Sequence, residues 1–401
     1  MNERPLRVPQ PHSAIPIPAS GGWQPGDLVG DRTFFKSGAD QRHSRPFALE
    51  GGGRLDEVTL SYETWGELNS EASNAILLCH ALTGDAHAAG LSGRGHPTPG
   101  WWDPLIGPGK AIDTSKYFVV CSNVLGGCQG TTGPASPHPD DGKPYGSRFP
   151  IVSIRDMVRA QQLLTDHLGV DQWFSVIGGS MGAMLVLEWA VMFPDRVHSA
   201  VALSSATAAS PMQIGWSEVG RLAIVQDPKW NDGDYYDAAE DEGPHEGLML
   251  ARRIAQIHYR SDESFESRFG RSTVEASAKF DLWGRFQIES YLDYQGQKLA
   301  RRFDANSYLV LNKAMDLHDV GRGRSSVSDA LARIKAAFLV GAVDSDILYP
   351  PRQQHEMFDA LVKVGVETEF TTVESPHGHD GFLVECKQLA PTIETFLTKQ
   401  Y

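Results

Sequence analysis

The sequence has no excess of basic residues, because 36 lysine and arginine side chains are set against 50 aspartate and glutamate side chains. The net charge of −14, with histidine counted as neutral, argues against general binding of nucleic acid or of an anionic membrane surface, which needs basic surface. It leaves open a local basic pocket for an anionic cofactor. The chain also lacks any run of about eighteen apolar residues, so we expect no helix that spans a bilayer.

Cysteine is scarce, and no C-x-x-C pair occurs among Cys79, Cys121, Cys128 and Cys386. Their spacing fits no zinc site, and a chain of this length needs no disulfide staples. We therefore expect reduced, mostly buried thiols and no metal. Residues 1–20 are rich in proline and contain no apolar stretch of the signal-peptide type. They predict a flexible N-terminal tail on a soluble, cytoplasmic protein.

Short, nearly continuous apolar runs bounded by turn residues recur along the chain. Such runs are typical of strands that are buried on both faces of a mostly parallel sheet. Helical periodicity lies between them, at residues 154–168 and 184–193, and this alternation predicts an α/β fold. Residues 47–65 predict antiparallel strands at one edge. The apolar runs lie at residues 75–79, 117–121, 173–177, 200–203 and 336–340, and residues 367–373 are a further strand candidate.

The pattern changes between residues 207 and 328, where helical periodicity continues without short apolar strands. Residues 248–259 and 307–317 are the clearest amphipathic helices in this stretch. The strand pattern resumes at residue 336. We therefore predict one core domain, formed by residues 21–206 and 329–401, with a helical lid inserted at residues 207–328.

A serine stands in a glycine-rich turn at residues 178–182, which fit the pattern G-x-S-x-G. The turn directly follows an apolar run and directly precedes a helical segment, as this motif requires. Gly178 and Gly182 supply the small residues that so tight a turn needs on either side of the serine. The turn pushes the hydroxyl of Ser180 out at the carboxyl edge of the sheet. These features predict that Ser180 is the nucleophile of an enzyme with the α/β-hydrolase fold.

A serine hydroxyl needs an adjacent base, and in that fold the acid and then the base follow the serine along the chain. Two histidines, His377 and His379, follow the last predicted strand. We favour His379, because it stands immediately before a helix-like segment, and keep His377 as the alternative. Asp344 and Asp346 both follow the preceding strand, and spacing alone does not choose between them.

The oxyanion of an acyl-transfer reaction needs two backbone N–H donors. One is expected from Met181, the residue after the nucleophile, and the other from an early loop between a strand and a helix. Residues 79–85 follow a buried strand and fit that loop, in which Leu82 is the candidate donor. His80 in the same loop is better explained as a buried, hydrogen-bonded core residue.

Three motifs in order resemble homoserine O-acetyltransferase: H-A-L-T-G-D-A-H at residues 80–87, S-N-V-L-G-G-C-Q-G-T-T-G-P at residues 122–134, and the serine turn. The resemblance runs from about residue 45 to the C-terminus. It implies an α/β-hydrolase fold, with a mostly parallel sheet flanked by helices and an inserted helical lid, and a homodimer joined through the lid helices. It also implies transfer of acetyl from acetyl-CoA to the hydroxyl of L-homoserine, a step of methionine biosynthesis, with acetyl-CoA as co-substrate and no cofactor.

The resemblance also assigns roles to individual residues. The nucleophile of the family matches Ser180, and its base matches His379. Its acid lies in a motif like S-D-I-L-Y-P, which selects Asp346. Two substrate-binding positions match Arg221 in the lid and Asp380 after the base. The resemblance thus implies a ping-pong reaction through an acetyl-serine.

Related enzymes leave two alternatives open. Succinyl-transferring relatives, which use homoserine or serine, tend to have an arginine where Leu348 stands and often a glutamine where Glu188 stands. A cation suits a succinyl carboxylate, so Leu348 favours acetyl as the transferred group. The second alternative is a serine esterase of the same fold, which would pass the acyl group to water.

Overall fold

The computed structural model describes residues 15–37, 46–93, 95–275 and 282–400, and the strands lie in sequence on both sides of the predicted lid. They are β1 Thr33–Lys36, β2 Phe47–Ala48, β3 Arg54–Leu55, β4 Thr59–Trp65, β5 Ala75–Cys79, β6 Ile106–Gly107, β7 Ile112–Asp113, β8 Phe118–Ser122, β9 Ser175–Gly179, β10 Ser199–Leu203, β11 Ala337–Val343 and β12 Thr368–Val373.

Eight of these strands form one sheet in the order β1-β4-β8-β5-β9-β10-β11-β12. The strands β1 and β4 pair antiparallel, as do β4 and β8, whereas all later neighbours pair parallel. Each predicted strand segment from residue 75 onward became a strand of the parallel part, within three residues of its expected limits. The predicted α/β class with a mostly parallel sheet is therefore confirmed.

Helices cover both faces of the sheet and fill the predicted lid. The helix α1 begins with a capping box, in which the side chains of Ser153 and Asp156 each accept from the other's backbone N–H. The helices are α1 Ile154–His167, α2 Met181–Met192, α3 Pro211–Val225, α4 His245–Tyr259, α5 Asp262–Phe269, α6 Gln287–Ala300, α7 Ala305–Asp316, α8 Val327–Leu331, α9 Pro351–Lys363, α10 Gly381–Val384 and α11 Cys386–Lys399.

The core consists of two apolar clusters, one on each face of the sheet. Alternation along β5 divides them, because Leu77 belongs to the cluster with α2, whereas Ile76 and Leu78 belong to the cluster with α11. The helix α2 is buried all round, from Met181 to Val191, because it lies between the sheet and its neighbouring helices. This burial fixes the start of α2, where the predicted nucleophile lies.

The segment between β10 and β11 contains α3 to α8 and, over its described residues, adds no strand to the eight-stranded sheet. The predicted N-terminal tail, residues 1–20, is described only from Ile15 onward. There Ile17 is buried, and its N–H donates to Asp241 at 2.9 Å, while Ser20 donates to Asp304 at 2.9 Å. These last residues of the predicted tail are therefore attached to the lid.

Over the part of the chain that is described, no helix combines the length and the apolar character that crossing a membrane requires.

Candidate active site

Ser180 occupies a strained turn between β9 and α2. Its φ of 58° and ψ of −124° lie outside the regions that residues other than glycine ordinarily adopt. A Cβ on Gly182 would lie 2.0 Å from the carbonyl oxygen of Cys79, and one on Gly178 would lie 2.6 Å from the backbone of Gly182. Only glycine therefore fits at either position. The N–H of Ser180 donates to the carbonyl oxygen of Leu203 at 2.9 Å, which ties the turn to the end of β10.

Ser180, His379 and Asp346 form one hydrogen-bonded chain. The Oγ of Ser180 lies 2.8 Å from Nε2 of His379, and Nδ1 of His379 lies 2.7 Å from Oδ2 of Asp346. All three residues are buried. The other oxygen of Asp346 accepts from the N–H groups of Leu348 at 2.9 Å and Tyr349 at 2.8 Å. This arrangement holds the carboxylate still and selects the tautomer in which Nδ1 is protonated and Nε2 accepts the serine proton.

The two alternative residues lie outside this chain of hydrogen bonds. Asp344 is exposed, and its Oδ1 accepts from the N–H of Ser375 at 2.9 Å, which joins the loops after β11 and β12. His377 keeps 41% of its side chain exposed, and its Nε2 lies 4.0 Å from Glu385. Asp344 and His377 therefore stabilise the loops that carry Asp346 and His379.

The environment of His379 shifts its pKa upward. Burial by itself would lower the pKa, but the charge and hydrogen bond of Asp346 outweigh it, with a further contribution from Asp380. Aromatic rings surround the imidazole, with the ring of Tyr349 at 5.2 Å and that of Tyr259 at 5.9 Å between centroids. The site therefore favours the protonated imidazole that forms when Ser180 gives up its proton.

The two predicted oxyanion donors lie near the nucleophile. Met181 is the first residue of α2, where backbone N–H groups have no partner within the helix. Leu82 lies in the loop after β5 and is 6% exposed. Among the described residues, neither N–H donates to another group. Both are therefore available to a negatively charged oxygen, and their role as donors stays a prediction.

His80 helps to fix the direction of the Leu82 N–H. The carbonyl oxygen of Ala81 accepts from the N–H of Gly84 at 2.8 Å as well as from His80. The Nε2 of His80 accepts from the N–H of Val124 at 3.1 Å, so its Nδ1 carries the proton and donates to the carbonyl oxygen of Ala81 at 2.8 Å. Burial lowers the pKa of His80, which keeps it neutral. The C=O of Ala81 and the N–H of Leu82 belong to one planar peptide group and point in opposite directions. Holding the carbonyl therefore aims the N–H.

A cavity of about 30 Å³ lies between the sheet and the lid. The core contributes Leu82, Leu348 and Tyr349 to its lining, and the helices α3, α4 and α7, with Ala209 just before α3, contribute the remainder. None of its lining residues is a lysine or an arginine. The volume suffices for roughly two water molecules. A substrate therefore enters only if side chains or the lid shift.

The two predicted substrate-binding residues are both engaged in ion pairs. The Nη1 of Arg221 lies 2.6 Å from Asp316 and donates to the Asn312 side chain at 3.0 Å. Asp380 lies 3.1 Å from the guanidinium of Arg260. Asn312 and Asp316 line the cavity, whereas Arg221 and Asp380 are not among its lining residues. Their roles toward substrate stay predictions.

His258 belongs to the cavity and was missed from the sequence. It is buried beside the ring of Trp216, at 4.9 Å between centroids, and its Nδ1 has no hydrogen-bond partner among the described residues. Burial, with the charges of His379 and Arg252, lowers its pKa to about 3. The available signal was its position on the apolar face of a predicted helix, where Ala251 and Ala255 precede it.

Glu63, His87 and His96 form a buried cluster whose residue types could hold a metal. The Nδ1 of His87 lies 2.9 Å from Glu63, and the Nε2 of His96 lies 3.4 Å from the other carboxylate oxygen. The two rings are stacked, with centroids 3.8 Å apart and planes 7° from parallel. Nitrogen lone pairs lie in the ring planes, so those of stacked rings do not converge on one ion. The cluster as built suits hydrogen bonding better than coordination, and metal-free catalysis stays a prediction.

Comparison with known proteins identifies the family. Residues 74–385 match the family model described as alpha/beta hydrolase fold. The homoserine O-acetyltransferase of Thermobifida fusca (strain YX) is 50% identical over 96% of this chain and 98% of its own length. The crystal structure of homoserine O-acetyltransferase from Bacillus anthracis has a TM-score of 0.83 and 30% identity, over 91% of this chain and 97% of that chain.

A solved esterase resembles the fold as closely. Esterase E22 has a TM-score of 0.82 and 30% identity, over 91% of this chain and 99% of that chain. Overall shape therefore does not separate acyl transfer from ester hydrolysis, whereas the identity to the T. fusca transferase is much higher than that to the esterase. The chain belongs to the homoserine O-acetyltransferase family, within the alpha/beta hydrolase fold.

Proposed function

We propose that the protein transfers an acetyl group from acetyl-CoA to the side-chain hydroxyl of L-homoserine through an acetyl-serine intermediate. The observation that carries this proposal is the buried chain of hydrogen bonds from Ser180 through His379 to Asp346. The T. fusca homoserine O-acetyltransferase, which is 50% identical to this chain, supports the choice of acetyl group and acceptor.

In the first half-reaction, Nε2 of His379 takes the proton from Ser180 as the serine oxygen attacks the thioester carbonyl. The carbonyl oxygen becomes an oxyanion, which accepts from the N–H groups of Leu82 and Met181. The carbon–sulfur bond then breaks, and the CoA sulfur takes the proton from His379. Asp346 stabilises the imidazolium in between.

The second half-reaction reverses these roles with a new nucleophile. The homoserine hydroxyl gives its proton to Nε2 of His379 and attacks the carbonyl carbon of the acetyl-serine. The oxyanion forms again in the same place. The bond to Ser180 then breaks, and the serine oxygen recovers a proton from His379, which leaves O-acetylhomoserine and free enzyme.

Water is the rival nucleophile, at about 55 M against roughly millimolar amino acid. Transfer dominates only if the site favours the alcohol by more than about 10⁴- to 10⁵-fold, or roughly 6–7 kcal/mol. The lid supports such selectivity, because the narrow cavity beneath it admits a substrate only when side chains or the lid shift, which keeps bulk water out of the closed site.

Arg221 and Asp380 are the groups that we propose for the charged ends of the acceptor. Arg221 can bind a carboxylate through two parallel hydrogen bonds, and Asp380 can bind the amino group. The contacts of Arg221 with Asn312 and Asp316, which line the cavity, support this role, since a rotation of its side chain would bring the guanidinium to a bound acceptor. The ion pairs with Asp316 and with Arg260 balance the charges of Arg221 and Asp380.

The cavity favours an acetyl over a succinyl donor. Leu348 lines it and is 7% exposed, and no lysine or arginine is part of the lining. A succinyl carboxylate at this place would lie in a buried site without a cation, which is costly. An acetyl methyl group meets no such penalty.

We further propose a homodimer that is joined through lid helices. The helix α3 exposes apolar side chains, among them Met212 at 64%, Val219 at 46% and Leu222 at 42%, and α4 exposes Leu250 at 47% and Ile257 at 48%. Such apolar lid surface supports an interface between two copies. Light scattering on the wild type and on Leu222→Glu tests it, with a dimer and a monomer as the expected masses.

The remaining parts of the proposal concern its setting. The acyl transfer needs acetyl-CoA as co-substrate and no resident cofactor or metal, because the triad, the two N–H donors and the substrates complete the chemistry. A cytoplasmic enzyme of methionine biosynthesis is the context that the family suggests. Unchanged activity after dialysis against a chelator is the expected result.

One donor and acceptor matrix tests the proposed function. Acetyl-CoA and succinyl-CoA are each combined with homoserine, serine and water, and the release of free CoA is followed. We expect rapid release only with acetyl-CoA and homoserine. Equal release with water alone would establish an esterase instead, which the similarity to esterase E22 makes the second candidate. Preference for succinyl-CoA would overturn the assignment of the acyl group.

A further inference from the structure

Three cationic side chains, in a chain that is acidic as a whole, lie on or beside two lid helices that pack together. They are Arg252 on α4, Lys298 near the end of α6, and Arg302 just beyond that helix. Arg253 of α4 pairs with Asp293 of α6, and a Cβ on Gly296 of α6 would touch Met249 of α4. Arg302 is paired, because it donates to the carbonyl of Thr83 and lies 3.5 Å from Asp85. The other two differ from it in having no such partner.

Arg252 and Lys298 form no ion pair with any carboxylate among the described residues. The Nε of Arg252 is buried without a hydrogen-bond partner in the same part of the chain. A buried polar donor that is left unpaired costs free energy, and so does its proximity to like charges. An anionic ligand would remove both costs.

The position of these cations points to the acyl donor. The guanidinium carbon of Arg252 lies 5.3 Å from the ring centre of Tyr259, and that ring lies 5.9 Å from the ring of His379. Lys298 is exposed to solvent in the last turn of α6, and Arg302 follows two residues beyond the end of that helix. The cations therefore lie between the solvent and the nucleophile.

Electrostatic coupling supports the grouping. Partial burial lowers the pKa of Lys298, and the charges of Arg302 and Arg252 lower it further. Lys298 is thus close enough to each arginine to be affected by its charge. The cavity lining includes none of these three cations, so the proposed anion subsite is separate from the acyl pocket.

We propose that Arg252 and Lys298 form a phosphate subsite for the acyl donor, binding the phosphates of a nucleotide thioester while its flexible arm passes Tyr259 to reach Ser180. This inference rests on the proposed function, since a thioester donor without phosphates would need no such site. Arg302 adds to the positive field while it holds the loop that contains Leu82. Phosphates bind arginine and lysine through charge-assisted hydrogen bonds.

Kinetics with two donors test the subsite. Acetyl-CoA carries the phosphates, and S-acetylpantetheine carries the same thioester arm without them. The variants are Arg252→Gln and Lys298→Gln, and the matched control is Arg253→Gln, whose guanidinium already pairs with Asp293 on the same pair of helices. We expect each subsite variant to raise KM for acetyl-CoA by about 10-fold, with kcat little changed and the KM for S-acetylpantetheine unaffected. We expect Arg253→Gln to leave the KM for acetyl-CoA, kcat and the KM for S-acetylpantetheine near their wild-type values.

Acetyl-dephospho-CoA then tells which phosphate is bound, because it lacks the 3′-phosphate and keeps the diphosphate. An equal rise in KM for acetyl-CoA and for S-acetylpantetheine would overturn the subsite. A rise in KM for homoserine alone would overturn it as well. Calorimetric binding of CoA to Ser180→Ala separates this inference from the proposed function. Loss of CoA affinity on adding Arg252→Gln supports the subsite even if no acetyl transfer to homoserine occurs, and unchanged affinity overturns it.

Discussion

The Nδ1 of His80 lies 2.8 Å from the carbonyl oxygen of Ala81, and this contact aims the N–H of Leu82 away from the core of the loop. His80 itself is fully buried, and among the described residues its side chain makes no hydrogen bond to Ser180. We therefore predict a positioning role, in which His80 acts on the reaction through one peptide group.

Replacing His80 should lower the turnover number while leaving substrate binding intact. A leucine at this position leaves the carbonyl of Ala81 with the N–H of Gly84 as its remaining donor, so the direction of the Leu82 N–H is held less firmly. Loss of one oxyanion donor costs about 10²- to 10³-fold in kcat, and we expect up to that loss for His80→Leu with KM for acetyl-CoA unchanged. His80→Asn keeps a donor near the Nδ1 position and should recover part of the rate. A rise in KM with constant kcat would contradict this role.

Ser180→Ala should abolish the covalent intermediate. Mass spectrometry of the intact wild-type protein after mixing with acetyl-CoA alone should detect one added acetyl group, which the variant never acquires. Because members of such a triad act as a unit, kcat should fall by at least about 10⁴-fold. Retained affinity for CoA serves as the control for folding. A variant that still accumulates acetyl-enzyme would place the nucleophile elsewhere.

The pH dependence should follow the raised pKa of His379. The neutral imidazole is the active base, so the rate of acetyl-enzyme formation should fall as the pH drops through a pKa above about 6.5. Asp380 contributes to that upward shift, so Asp380→Asn should move the acid limb to lower pH. Stopped-flow measurement of CoA release without acceptor isolates this step from acceptor binding. An acid limb that moves upward in the variant would contradict the assignment.

The local geometry of the nucleophile was predictable because it depends on neighbouring residues. Gly178 and Gly182 are required by a turn whose clashes arise within a few residues and one adjacent strand. The parallel sheet also brings the ends of β9, β11 and β12 to one edge, which explains why residues far apart in sequence could be grouped. The family resemblance was needed to choose Asp346 over Asp344.

The helices of the lid were predictable from the sequence, but the contacts between them were not. The ion pairs of Arg221 with Asp316 and of Asp380 with Arg260 depend on how separate helices dock, which the periodicity of each helix leaves open. For the same reason, the position of His258 in the cavity lining was not predicted. The attachment of Ile17 to the lid through Asp241 was missed as well, because the proline-rich composition around it favours an unbound chain.

Arg221 should govern the affinity for the acceptor alone. Arg221→Lys keeps the charge but loses the paired hydrogen bonds to a carboxylate, so KM for homoserine should rise by about 10- to 100-fold. The KM for acetyl-CoA and the amount of acetyl-enzyme formed should stay unchanged. Asp316→Asn serves as the companion variant, since it frees the guanidinium from its ion pair without removing it. A larger effect on acetyl-CoA than on homoserine would show that Arg221 serves the donor.

Leu348 should control which acyl group is accepted. An arginine at this position would bring a cation to the lining of a cavity that lacks one, and the terminal carboxylate of a succinyl group could then pair with it. We expect Leu348→Arg to move the ratio of kcat/KM for succinyl-CoA over acetyl-CoA upward by about 10-fold or more, since an ion pair in a buried site is worth at least one decade. Leu348→Met is the matched control, because it conserves volume without adding charge and should keep the acetyl preference. Loss of activity with both donors in the arginine variant, together with a normal melting temperature, would mean that Leu348 shapes the cavity without discriminating between acyl groups.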